Sequence, residues 1–162
     1  MDCGSAPLCG VLVLESGYGQ GKYSHSAPCV HGLWPETGSF GSSECLAPRD
    51  SASPDSLASC YDDLGFMTHE WTKHGVCAGV RDSTQFFNQI CKLSAAPLAT
   101  LSPLHDNQGS LETMASGLKA AGFPVYYVDS SSNSQIYLAA CGNAEGQWSL
   151  SDPEAFSSAC GQ

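Results

Sequence analysis

Apolar residues in this chain come in short runs separated by stretches rich in glycine, serine and proline. The run Leu8–Leu14 has no Lys or Arg before it and is read as a strand of the mature protein, not a signal peptide. Within it, Cys9–Leu14 is the predicted strand. Pro28–Trp34 forms a second, with Ser26–His31 as its buried part up to Gly32, and alternation places Cys29, His31 and Leu33 on one side. Gly38–Ser43 is a loop. Pro54–Asp63 has Pro early and Ser53 as a possible cap, which predicts a short helix. Phe66–Val76 is a second helix. Ser83–Leu93 is a third, with Ser83 as cap candidate and Phe86, Phe87, Ile90 and Leu93 on its apolar face. Pro97 and Pro103 interrupt the next stretch. Leu111–Ala121 is helical and ends at Gly122, and Val125–Asp129 and Gln135–Cys141 pair as antiparallel strands around a serine-rich turn.

This order predicts an α+β fold: a central antiparallel sheet with several packed helices. The 162 residues contain no internal repeat and no linker, so 1–162 is expected to be one domain with a real core. Nine cysteines point to an oxidising compartment and a disulfide-stapled fold. Nine is odd, so at least one thiol is unpaired or bridges to another molecule. No run of about 18 apolar residues is present, which argues against a membrane helix.

The chemistry concentrates in two segments. His31-Gly32-Leu33-Trp34-Pro35-Glu36 joins an imidazole to an indole across a glycine that permits close approach. His69-Glu70-Trp71-Thr72-Lys73-His74-Gly75 supplies four ionisable groups. On a helix at about 100° per residue, His69, Glu70, Lys73 and His74 share an arc of about 140°. Phe66 lies in the same arc, while Trp71 anchors the back. A zinc helix needs its histidines at i and i+4; His69 and His74 are five apart, Lys73 would repel a cation, and no CxxC is present. No metal and no other cofactor is expected.

His31–Glu36 and His69–Gly75, in that order, resemble the two active-site segments of the ribonuclease T2 family. Gln135-Ile136-Tyr137-Leu138 before Cys141, with a last cysteine at Cys160, is similar in style. The resemblance is strong over residues 24–92 and patchy beyond; the chain is short for that family. It implies a secreted endoribonuclease, or one in the lumen of an acidic compartment, that cleaves single-stranded RNA through a 2′,3′-cyclic phosphate with broad base specificity. His74 would be general base and His31 general acid. Lys73 and Glu70 would serve the phosphorane, and His69 would bind a phosphate oxygen. Trp34 and Phe40 would stack on a base that Glu36 hydrogen-bonds, and Phe66 on the base across the scissile phosphate. The resemblance also implies the bridges Cys45–Cys77 and Cys141–Cys160. Cys3–Cys9 and Cys29–Cys60 are one pairing of the remainder; Cys91 and other combinations stay open.

Six basic residues against sixteen acidic ones give a net charge of −10, so a broad basic footprint for nucleic acid is not expected. A small site gripping one or two nucleotides by stacking is compatible with that charge. The chain is expected to act as a monomer and not on membranes. A different class, a cysteine-rich secreted binding or toxic protein acting without catalysis, is the alternative. The complete ionisable set argues against it.

Overall fold

A computed structural model describes residues 1–35 and 45–161. It is an α+β fold. Five antiparallel strands, β1 (Leu8–Glu15), β2 (Cys29–Pro35), β3 (Val125–Asp129), β4 (Gln135–Gly142) and β5 (Trp148–Leu150), form one sheet among the described residues. The order is β2-β1-β4-β3, with β5 also pairing β4. Among the described residues four helices accompany it: α1 (Leu64–Lys73), α2 (Ser83–Asp106), α3 (Leu111–Ala120) and α4 (Phe156–Cys160).

β1 is central and buried along its whole length, which is why it reads as an unbroken apolar run. Leu12 and Leu14 face a core shared with Met67 and Trp71 of α1, Phe86, Phe87, Ile90 and Leu101 of α2, and Met114 and Leu118 of α3. Burying each such side chain contributes roughly 1.5–3 kcal/mol. Val11 and Val13 face the other way, with Tyr137 and Trp34.

A β-bulge decides where His31 goes. Val13 pairs with Gly32 and Leu14 with Val30, so His31 is the extra, unpaired residue. Val30 and Leu33, three apart, both face the helical core. The expected alternation of Cys29, His31 and Leu33 on one side is therefore wrong: the extra residue turns His31 away from the Leu33 face, as bulges re-aim side chains. The strand itself runs Cys29–Pro35, within one residue of the expected Pro28–Trp34 at each end.

Asp63 starts α1 by accepting hydrogen bonds from the Gly65 and Phe66 amides. The helix stops at Lys73, short of the expected Val76, and His74 is its cap. Gly75 opens the following 3-10 turn (Gly75–Cys77), and a methyl there would run into the Trp71 ring. Residues 54–63 are not helical. Leu57 is exposed, so the segment has no apolar face to bury, and Cys60 and Tyr61 tie it down individually. Asp82, not Ser83, caps α2. That helix runs through Pro97 and Pro103 although an interior proline costs about 3 kcal/mol. Burial of Ile90, Ser94, Pro97 and Leu101 offsets the cost.

Disulfides join Cys3–Cys9, Cys45–Cys77, Cys60–Cys91 and Cys141–Cys160, leaving Cys29 as a free thiol. The Cys29–Cys60 pairing is thus overturned. Cys29 lies beside Glu15 instead, while the 59–63 segment is clipped onto α2 through Cys91.

Candidate active site

Three elements converge on the face of the sheet opposite the helical core. The bulge in β2 delivers His31, and Trp34 lies further along the same strand. Gly32 leaves room for α1: a methyl on Gly32 would meet the Glu70 carboxylate, so the glycine lets that acid lie against the edge strand in its present position. The α1 cap places His74 over Trp34, with rings stacked at 5.0 Å and 17° between planes.

His31 is held at both nitrogens. Nδ1 lies 2.6 Å from Glu15 Oε1 and Nε2 lies 3.3 Å from Glu70 Oε1. The second Glu70 oxygen accepts the Trp34 indole N–H at 3.0 Å. The Tyr61 hydroxyl donates to the His31 carbonyl at 2.9 Å. Phe66 and Trp34 meet the His31 ring edge-on at 5.0 and 5.3 Å.

These surroundings push the two histidines in opposite directions. Burial alone would lower the His31 value, but hydrogen bonds to Glu15 and Glu70, and their charges, override it and push it up to about 9. Burial lowers His74, and the positive charges of His31, His69 and Lys73 add to it; Glu70 opposes without prevailing. At neutral pH one ring is a cation and the other a neutral base, across a single indole. Both line a cavity of about 290 Å³ together with His69, Phe66, Tyr23 and Lys22.

The model of the Ribonuclease T2 family matches residues 15–108, more than half of the chain. The chain belongs to the ribonuclease T2 family. A ribonuclease of Aeromonas hydrophila is 37% identical over 62 residues, a stretch that covers 38% of this chain and 28% of that protein. Two solved structures share the T2 fold with it. An RNase-related protein from Calystegia sepium is 18% identical with a TM-score of 0.51, covering 90% of each chain. A variant of ribonuclease MC1 is 18% identical with a TM-score of 0.50, covering 90% of this chain and 93% of that one.

Of the T2 residues expected from sequence, His31, Glu70, His74, Trp34, Phe66 and His69 come together. Lys73 is exposed on the last turn of α1, and among the described residues no ion pair joins it to Glu70. Trp34 is half-buried, and one face is covered by His74. Glu36 and Phe40 lie outside the described residues.

Sequence reasoning missed Glu15, His25, Tyr61 and Gln135. Glu15 carried a signal: an acid closing an otherwise apolar central strand. Its Oε2 lies 2.6 Å from His25 Nε2, and Gln135 approaches His31 Nδ1 at 3.1 Å. Glu15, His25 and Cys29 bring a carboxylate oxygen, an imidazole nitrogen and a thiol within 4.8 Å of one another. Both Glu15 oxygens are already engaged by histidines, and burial pushes the Cys29 thiol up to about 12, so the donor set is poorly prepared for a cation.

Proposed function

We propose that this T2-family chain is an endoribonuclease that cleaves single-stranded RNA without a metal, its residues 1–162 acting as one domain. One observation carries the reading: two histidines with opposite preferences for charge face the same cleft. Neutral His74 takes the proton from a ribose 2′-hydroxyl, whose oxygen attacks the adjacent phosphorus. The P–O5′ bond breaks, and His31, a cation through its carboxylate partners, gives the Nε2 proton to the departing 5′ oxygen. The product is a 2′,3′-cyclic phosphate, which water opens in a second step. Each general acid–base contribution is about 10²–10⁴-fold.

Glu70 keeps the His31 Nε2 proton oriented until the leaving oxygen replaces it, and Trp34 keeps Glu70 in place. His69 in the cleft binds a phosphate oxygen, and Lys73, whose charge acts on His74, offsets charge on the phosphorane. Phe66 offers a stacking surface to one base; Trp34, Phe40 and Glu36 serve the other, with broad specificity from stacking. Four disulfides suit secretion or an oxidising, acidic lumen. Among the described residues no helix is long and apolar enough to cross a membrane.

The test is incubation with single-stranded RNA in excess EDTA, followed by product analysis. Cyclic phosphate termini are expected, together with resistance of DNA and of substrates carrying a single 2′-deoxy nucleotide at the cleaved step. Cleavage that EDTA abolishes, or that proceeds equally on DNA, would overturn the reading.

A further inference from the structure

Proton transfer in the cleft uses the Nε2 edge of His31. Its Nδ1 edge meets a group with no part in that transfer. Glu15 closes β1 after seven residues that are apolar or glycine, and its side chain is only 5% exposed. Removing a carboxylate from water costs several kcal/mol, and an apolar residue of similar size is often the more stable choice. The acid is nevertheless fully engaged. Oε1 meets His31 Nδ1 and Oε2 meets His25 Nε2, each at 2.6 Å. His31 reaches Oε1 only because the bulge leaves it unpaired against Val13 and Leu14.

We infer that Glu15 is a positioning residue for this site: braced by His25, its carboxylate accepts the Nδ1 proton of His31 and fixes the ring in the tautomer and orientation that turn Nε2 to the cleft. The inference rests on the reading of His31 as the proton donor. His31 is surrounded by groups from every neighbouring element. Glu15 comes from β1, Glu70 from α1, and His74 from the α1 cap. Gln135 comes from β4, Tyr61 from the segment before α1, and Tyr23 from the 3-10 turn Gly21–Tyr23; Cys29 shares the strand. Among the described residues only Glu15 and Glu70 are acids within hydrogen-bond reach of the ring. Glu70 is shared with Trp34 and adjoins the atom that meets substrate, whereas Glu15 contacts the ring from the opposite nitrogen. The raised His31 value is consistent with this clamp. A fixed carboxylate on the far nitrogen of an imidazole is a general way to select its tautomer.

The decisive variant is Glu15→Gln, which keeps the volume and an acceptor oxygen but removes the charge. Two measurements on the full chain are needed: a nitrogen–proton NMR titration of His31, and pH profiles of kcat and KM on a dinucleotide. In the wild-type chain, neutral His31 is expected as the Nδ1–H tautomer. In the variant, His31 loses its proton at lower pH and the alkaline limb of kcat moves down with it. At pH 8 kcat falls by about tenfold, less than the 10²–10⁴ that a general acid contributes in full. KM stays within about twofold, because ground-state binding is untouched. Glu15→Asp restores part of the alkaline limb.

A folded Glu15→Gln protein whose His31 titration and alkaline limb match wild type overturns the inference. So does a pH-independent loss of kcat, the mark of a merely structural role. If Glu15→Gln does not fold, the wild-type tautomer decides, and an Nε2–H form overturns the clamp. The NMR readout needs no substrate. A His31 value that falls in Glu15→Gln within a chain that does not cleave RNA supports the clamp and overturns the ribonuclease reading. An active chain whose His31 titration ignores Glu15 overturns the clamp alone.

Discussion

His31 and His74 are the same side chain, lining the same cleft and touching the same indole, yet their surroundings drive them apart. His31 sits on a bulged strand between two carboxylates, and its charged form is favoured far above neutral pH. His74 sits on a helix cap among positive neighbours, and its neutral form is favoured. Burial acts on both rings and opposes the charge of both. The difference is therefore a matter of partners: two hydrogen-bonded acids overcome desolvation, while one acid acting through its charge alone does not. An acid and a base are thereby made from one residue type, which is what proton transfer in both directions requires.

The strongest way to break the comparison is to remove either ring. His31→Ala and His74→Ala are each expected to lower turnover by about 10²–10⁴-fold with the fold retained. The double variant should lose far less than the product of the two, since they act in one step. Turnover assays beside circular dichroism decide this. If His31→Ala kept near-normal activity, the role given to it would be wrong.

A second intervention acts on the His74 side alone. Cys45–Cys77 pins the turn just after His74. Cys77→Ser is expected to cost about 2–4 kcal/mol of stability by denaturant titration. It should also reduce activity at denaturant concentrations where the fold persists, while NMR shows His31 still titrating at its raised value.

Trp34 touches both halves: its N–H satisfies Glu70 and its face covers His74. Trp34→Phe keeps the stacking but leaves the Glu70 oxygen without its donor, at a cost of about 1–3 kcal/mol in stability. Equal stability and unchanged activity in that variant would show the indole N–H to be dispensable.

The pH profile sharpens the contrast. Activity should rise with pH as His74 loses its proton, at a value below 6.5, and fall as His31 loses its own near 9. Glu70 raises both rings, through the hydrogen bond and charge on His31 and through charge on His74. Glu70→Gln should therefore move both limbs to lower pH, on a much reduced rate, whereas Glu15→Gln moves only the alkaline one. A Glu70→Gln profile with an unmoved acid limb would remove Glu70 from the balance that sets His74.

Much of the molecule is legible in the chain alone. The β1 run, the α3 stop at Gly122 and the β3–β4 pair depend on local patterning and turn chemistry, and each appears close to its expected bounds. The 54–63 helix did not appear, because a favourable start cannot sustain a helix with no apolar stripe to bury. The α2 helix outran its expected end, because burial of Pro97 and Leu101 outweighed the proline penalty. Glu15 escaped notice because a single acid after an apolar run has many meanings until its neighbours are known.

By itself the sequence determined which chemical groups exist and which can share an element: two histidine segments, a glycine where an acid must pass, and cysteines enough to staple a loop-rich chain. Those are matters of residue type and local spacing. Tertiary structure alone decided that the bulge turns His31 away from the core, that Glu15 and Glu70 close on its two nitrogens, and that Cys29 stays unpaired. Bulge register depends on strand pairing, and a pKa depends on burial and on charges distant in the chain. Neither quantity exists until the chain has folded.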